Sequence, residues 1–469
     1  MNITFVNCST GFYEIAIKKK IEIGASFPPL GLLYLGKILE MNNYHVEIFD
    51  GNAEQINDKK IKKIAESSDI VGLTIYSQPK DKEYAISISR KLQIYNPKIK
   101  LIIGGPHVSL LTEESLKEFN ADIAVKGPGE PVIASLVNSI KLNKPIEKLP
   151  GVCYKKDNKI IFNLKENKIQ NLDELPFPAR HLTDKYTYGY IMNTKFGKGK
   201  ATSILTSRGC PNRCRFCGLK AHIPYYQKRS VNNIIKEIDE IVSQGYNTII
   251  FTDDNFLADR KRIEKIMDHI IKNHPGLTLW INEARADSGD KILYEKMRKA
   301  GVEIIHFGIE SGNQDVLDYY NKKLTISRIK ETIRLSHKMG FLTIGSFILG
   351  APIETEKHFQ KTIRFAASLP LDLASFFALR YVYGSDIWKE AEKDGKINYK
   401  KDGHFIYADS SKNLGNFTTD EIIDYTRKGY NRFYYNPLLW FRFFYRSISK
   451  REPWLLYVGF KFLFKNISI

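Results

Sequence analysis

Three of the chain's five cysteines fall within eight residues, in the run Ser207-Arg208-Gly209-Cys210-Pro211-Asn212-Arg213-Cys214-Arg215-Phe216-Cys217. A C-x3-C-x2-C loop needs a scaffold that turns three sulfurs toward one metal centre. Three thiolates can hold three irons of a [4Fe-4S] cluster and leave the fourth iron open to a ligand. The same triplet with His222 as a fourth ligand would make a structural zinc site. Buried free thiols would need no metal. Structural zinc sites usually pair two short-spaced couples, whereas this is an odd triplet with an aromatic, Phe216, before its last cysteine. Spacing therefore favours the cluster, and the open iron points to an enzyme.

At 469 residues the chain can bury large cores and divides into two or three domains. Five cysteines, an odd number, do not suggest a disulfide framework, and an oxygen-sensitive cluster suits a reducing cytoplasm. The N-terminus begins directly with a strand-like Ile3–Asn7 segment, so no secretory leader is expected, and no run of 18 apolar residues predicts a membrane-spanning helix. The net charge of +19 raises nucleic acid, anionic membrane or acidic ligands as partners, but lysine is spread along the whole chain.

Over residues 1–150 strand-like runs (Ile3–Val6, Val46–Phe49, Ile70–Ile75, Leu101–Gly104, Ile123–Val125) alternate with helical patterns (Leu30–Met41, Lys59–Glu66, Lys82–Tyr95, Glu113–Phe119, Pro131–Ile140). Strict β/α alternation predicts a doubly wound, flavodoxin-like parallel sheet, with ligands beyond the carboxyl ends of its strands. Turn residues fall at that edge: Asp50-Gly51, Thr74 to Gln78, Gly104-Gly105-Pro106-His107 and Gly127-Pro128-Gly129-Glu130. Residues 151–200 read as a β-hairpin around Asp157-Asn158 followed by a Pro-punctuated linker, Leu172 to Arg180.

From 201 to 415 a second alternation predicts a partial (β/α)6 barrel, with strands at Ser203–Thr206, Thr248–Thr252, Leu277–Asn282, Ile304–Ile309, Thr343–Leu349 and Phe376–Tyr381. Its motifs cluster at the carboxyl ends, where barrels place their chemistry. These are the Cys loop, Asp253-Asp254, Asn282-Glu283-Ala284-Arg285, Gly308 to Gly312 and Gly345 to Thr355. Acids, an arginine and glycines at one rim suit a zwitterionic, ribose-bearing ligand. Helix capping by Asp254 or Ser311 is the plainer reading of any single position.

Cys210, Cys214 and Cys217, with Phe216, match the C-x3-C-x-aromatic-C signature of radical S-adenosylmethionine (SAM) enzymes, which this chain resembles over about 1–400. That resemblance implies a [4Fe-4S] cluster whose open iron chelates SAM beside Phe216. It also implies Asp253 and Asp254 near the SAM amino group, Arg285 near its carboxylate, and Glu310 and Ser311 near ribose or carboxylate. Adenine would lie near Gly345 to Gly350. The N-terminal part is similar to the cobalamin-binding domain that precedes some of these enzymes, through Pro28-Pro29-Leu30-Gly31-Leu32-Leu33-Tyr34-Leu35, the Gly104 turn and the Gly127 turn. This implies cobalamin contacts at Ser77, Gln78, Gly104, Gly105, His107, Gly127, Gly129 and Glu130. The family more often has Glu where Pro128 stands. Asn7-Cys8-Ser9-Thr10-Gly11 replaces the D-x-H-x-x-G motif of methionine-synthase-like domains, so the implied cobalamin lacks a histidine on its lower face. The implied activity is methylation of an unactivated carbon, with ring formation or C–C coupling as the alternative and an electron donor such as flavodoxin or ferredoxin as partner. A zinc-stabilised nucleic-acid-binding protein is the reading from a different class.

Residues 416–469 form a basic, aromatic region. Asp420–Tyr435 reads as a helix, and two stretches, 436–446 and 453–465, interleave Trp, Phe and Tyr with Arg and Lys. This mainly helical tail fits an interfacial segment lying on the inner face of the cell membrane, or helices packed on the barrel with basic outer faces. Relatives with similar tails include enzymes of lipid and isoprenoid modification, which favours a lipid substrate.

Overall fold

Short apolar runs bounded by turn residues become the strands of two sheets. The computed structural model describes residues 1–9, 25–76, 78–157, 159–163, 165, 167–191, 194–449 and 456. The first sheet comprises β1 (Asn2–Asn7), β2 (His45–Asp50), β3 (Ile70–Thr74), β4 (Lys100–Gly104), β5 (Ile123–Val125), β6 (Val152–Lys156) and β7 (Lys159–Phe162). Its order is β2-β1-β3-β4-β5-β6-β7, and the first five strands are parallel. Alternate side chains feed two cores: Ile3, Phe5 and Ile102 face one layer of helices, while Val6, Leu101 and Ile103 face the other. Helices α1 (Leu30–Glu40) and α5 (Ile133–Lys141) cover the first face; α2 (Asp58–Ser67), α3 (Pro79–Tyr95) and α4 (Thr112–Glu118) cover the second. The direction of winding reverses between β1 and β3, the place where open α/β sheets bind ligands.

The hairpin expected within the link instead extends this sheet. β6 pairs antiparallel with β5, Ala124 opposite Cys153, and Val152, Cys153 and Tyr154 are buried. Without it the three-residue β5 would be an uncovered edge.

The second sheet holds β8 (Lys200–Ile204), β9 (Tyr246–Phe251), β10 (Thr278–Arg285), β11 (Val302–Glu310), β12 (Leu342–Leu349) and β13 (Leu373–Ala378), in chain order. Helices α6 (Val231–Ser243), α7 (Arg260–Asn273), α8 (Lys291–Lys299), α9 (Ile326–Lys338) and α10 (Glu356–Ser368) alternate with the strands. The side chains of Ser230, Asp259, Asp290 and Thr325 cap α6 to α9, and Thr355 with His358 forms a capping box on α10. Asp254 and Ser311, the capping candidates in the sequence, cap none of these helices.

Strand bounds move in an informative way. β8 ends at Ile204, short of the expected Thr206, because Thr206 N donates to the Asp253 carboxylate rather than to a neighbouring strand. β10 and β11 run on to Arg285 and Glu310, so these rim residues lie in the last turns of their strands. β13 begins and ends three residues before the expected Phe376–Tyr381.

Two tail helices follow: α11 (Thr419–Tyr434), with a Thr418/Glu421 capping box, and α12 (Pro437–Ser449). Among the described residues no helix is long and apolar enough to cross a membrane. Apart from Leu456, the stretch 453–465 lies outside the described residues. By internal contacts the chain forms two units, Met1–Phe196 with Lys200–Ser203, and Gly197–Gly199 with everything from Ile204 onward.

Candidate active site

The Cys loop is held at both ends. At its start, Thr206 and Ser207 hydroxyls and Thr206 N all donate to Asp253, which is fully buried. Thr206 O accepts from Arg229 N and from Arg262 Nη1 at 2.8 Å. Gly209 has φ +82°, and a Cβ there would lie 1.9 Å from Tyr225 O, so only glycine fits. Its N–H donates to Asp254 Oδ2 at 2.9 Å. Further along, Arg215 N donates to Tyr320 O, Asn321 Nδ2 to Arg213 O, and Ile387 N to Arg215 O. Phe216 meets Tyr320 edge-on at 5.0 Å.

Beneath this loop lies Lys322, which the sequence reading missed. Its Nζ donates to Glu310 Oε1 at 2.5 Å and sits 6.0 Å from the Phe216 ring centre. Burial pushes the Cys214 thiol up, and the Lys322 charge opposes that shift. Burial likewise pushes the Cys217 thiol up to about 11.

The structure gathers the rim residues from adjacent strand ends but gives them different tasks. Asp253 spends both oxygens on the loop, so it positions the cysteines and does not face a ligand. Asp254 is exposed, and burial of its surroundings raises its carboxyl. Arg285 gives Nε and Nη2 to Asp287 and Nη2 also to Lys322 O, so its expected role toward a carboxylate competes with a pair already made. Ser311 is fully buried, its hydroxyl bonded to Thr362 and accepting from Asn313 N. Glu310 adopts φ +69°, a strained conformation for a non-glycine residue, where the β11–β12 register shifts. A Cβ on Gly345 would strike Leu371 and Ile309, so this glycine serves core packing. Gly350 has φ +112°, and its N–H and that of Ala351 both donate to Glu354 Oε2.

Three more side chains line the same sheet. His306 Nε2 lies 2.6 Å from Ser346 Oγ and its Nδ1 3.7 Å from Glu283 Oε1, joining β10, β11 and β12. Burial lowers the His306 ring to about 4, so it is neutral at pH 7. Burial, and next the charge of Glu310, push Glu283 up to about 7. His306 looked like one more residue in an apolar strand run; only pairing across strands reveals its partners.

In the first unit, a cleft opens at the switch point. Phe5, Leu32, Leu35, Thr74, Ile102 and Val132 line it, together with Gly72, Gly104, Gly105, Gly127 and Gly129. A Cβ on Gly104 would point into open space, with only Val125 O as near as 3.9 Å. Gly105, at φ +103°, would clash with Ile75 O at 2.8 Å. His107 is turned away from such a role: its ring is buried edge-on against Phe119, with Nε2 3.9 Å from Glu118. Glu130 is buried and Gln78 is exposed at the start of α3, while Ser77 lies outside the described residues.

Residues 204–366 match the radical SAM superfamily and residues 20–137 the B12 binding domain. An uncharacterized methyltransferase of Pyrococcus horikoshii is 30% identical over 436 residues, 90% of this chain and 91% of that one. The chain belongs to the radical SAM superfamily, in its cobalamin-binding branch. The anaerobic magnesium-protoporphyrin IX monomethyl ester cyclase of Rubrivivax gelatinosus is 26% identical across 88% of this chain and 75% of its own. In fold the chain is similar to the radical SAM methyltransferase TsrM from Kitasatospora setae, solved with cobalamin and a [4Fe-4S] cluster. Its TM-score is 0.67 and its identity 18%, over 84% of this chain and 75% of that one.

The residues present fit this branch's cofactors: a [4Fe-4S] cluster, SAM and cobalamin. A mononuclear zinc site would hold sulfurs about 3.8 Å apart, from Zn–S bonds of about 2.3 Å in a tetrahedron. Among the described residues the cysteines and His222 form no group with donor atoms within 4.8 Å. The group that does, Asp239, His269 and His274, belongs to the outer helices and the end of α7, where both rings bond one carboxylate. The family match supports the radical SAM reading of the triplet over the zinc-stabilised one. For cobalamin, the apolar, glycine-walled cleft at the switch point offers the close backbone approach that a bulky cofactor needs.

Proposed function

We propose that this radical SAM protein methylates an unactivated carbon, with a lipid or isoprenoid as the substrate class. The observation that carries the reading is the fixed Cys loop with a buried cation beneath it and acids on the strand ends beside it, in a chain whose first unit also has a glycine-walled cleft at its switch point. When bound, such a cofactor set supplies radical hydrogen abstraction from carbon and a transferable methyl group. Cys210, Cys214 and Cys217 would hold the cluster, and Lys322 would offset part of its negative charge. Asp254, Glu283 and Glu310 would hold the amino and hydroxyl groups of SAM beside Phe216, and Gly350 would border its adenine. Gly104, Gly105, Gly127 and Gly129 would admit cobalamin. His306 and Ser346 would hydrogen-bond a polar group of the substrate without exchanging a charge. An electron donor of flavodoxin or ferredoxin type and contact with a membrane surface complete the reading.

Ring formation is the second reading, favoured by the 26% identical cyclase. Labelled SAM separates the two. The anaerobically reconstituted enzyme, given methyl-labelled SAM and a cellular lipid extract, should place label in a lipid. Deoxyadenosine release without label transfer would favour cyclisation or coupling. A Cys210→Ala, Cys214→Ala, Cys217→Ala variant should lose both the iron and SAM cleavage; retained cleavage would end both readings.

A further inference from the structure

Helix α12 is apolar on two opposite sides. Leu439 and Phe443 are buried on its inner side, and Arg446 reaches inward to Phe341 O at 2.9 Å and to Asp372. The outer side carries Leu438, Phe441, Tyr445 and Ile448, which are 71%, 70%, 65% and 65% exposed, with Phe444 at 56%. At about 100° per residue these five positions fill one continuous arc of about 120°. A helix packed on a water-facing protein normally turns a polar side outward. Here the outward side is the more aromatic one, and Tyr435, 58% exposed just before the helix, adds to it. Scattered apolar residues need no explanation, but a contiguous patch of this kind marks a contact surface.

The charge around the patch selects its occupant. From Arg427 to its end the chain has nine basic residues and one acid, Glu452. Of the described basic residues, Arg427, Lys428 and Arg432 are exposed on the preceding helix α11, while Arg446 is turned inward. A segment that joins exposed cations to exposed aromatics suits a surface that is negative at its headgroups and apolar just below them. A second copy of this chain would bring the same positive field against itself. We infer that the outer face of α12 docks on an anionic lipid bilayer, with Leu438, Phe441, Phe444, Tyr445 and Ile448 inserted at the headgroup boundary. The inference deepens the lipid reading above and rests on it for its purpose: the helix would hold the enzyme where an apolar substrate resides.

Full-length reconstituted protein should float with vesicles of phosphatidylcholine and phosphatidylglycerol. It should bind phosphatidylcholine vesicles far less, and raised salt should weaken the binding. A Phe441→Glu, Tyr445→Glu variant should partition about ten-fold more weakly, with circular dichroism and iron content unchanged because both side chains face solvent. Failure of the wild type to float, or equal flotation of the variant, overturns the inference. A wild-type dimer by light scattering that the variant converts to monomer, without flotation, overturns it in favour of a second copy. These vesicles contain no substrate, so flotation with no label reaching a lipid extract would refute the substrate reading and leave the docking surface standing.

Discussion

Nζ of Lys322 stands 2.5 Å from Oε1 of Glu310, and both side chains are 7% exposed beneath the cysteine loop. Breaking a buried pair from one side costs about 3–5 kcal/mol, because the remaining charge is left uncompensated. Lys322→Met should therefore lower the denaturant midpoint sharply, and adding Glu310→Gln should restore much of it. Iron content should stay low in the double variant, since the cation beneath the cluster loop is gone. Full iron loading in Lys322→Met would refute the electrostatic role.

The Glu354 carboxyl, raised by burial to about 8, gives stability an unusual pH slope. The folded chain keeps a proton that the unfolded chain releases near 4.5. The contribution is full below the unfolded value, declines as pH rises toward about 8, and is lost above it. Thermal midpoints should fall between about pH 5 and 8, and Glu354→Gln should flatten that fall. A wild-type-minus-variant difference that does not vary with pH would contradict this. Glu283 shifts in the same direction but is 45% exposed, so solvent screening leaves it a minor part.

Glu283 should instead show in turnover. Burial and the charge of Glu310 raise its carboxyl toward the working range, beside a His306 that stays neutral. Substrate-free SAM cleavage should pass through an inflection near pH 7 in the wild type, and Glu283→Gln should remove it. An inflection that survives the substitution assigns it to another group.

Gly104 and Gly209 offer opposite tests. Gly209→Ala drives a methyl group into Tyr225 O, so it should cost iron and cleavage while the first unit still binds corrinoid. Gly104→Val places its methyls in the open cleft, so the protein should fold and load iron normally but lose the corrinoid absorption bands after hydroxocobalamin treatment. Normal corrinoid uptake by Gly104→Val would remove that cleft as the cobalamin site.

Alternation of apolar runs and turn residues made both sheets readable, because period and turn chemistry are local. Local spacing also exposed the cysteine triplet. What local pattern could not show was which polar rim residues face a ligand and which hold the scaffold. Asp253 and Asp254 are neighbours of the same type, yet one is sealed against Thr206 and Ser207 and the other is exposed. The same limit hid Lys322, twelve residues after Glu310 and beyond an intervening helix, and the contact of His306 with Ser346 on the next strand. The tail's amphipathic character was legible, but the second apolar side of α12 needed its inner side, Leu439 and Phe443, to be identified first.

The ties that fix the Cys loop come from far along the chain: Asp254 at one end, then Tyr320, Asn321 and Ile387. A nascent chain emerging from the ribosome carries its three cysteines for some 170 residues before Ile387 is made. The geometry of the loop is thus completed late in the life of each molecule, and until then its three thiols lack the ties that shape them.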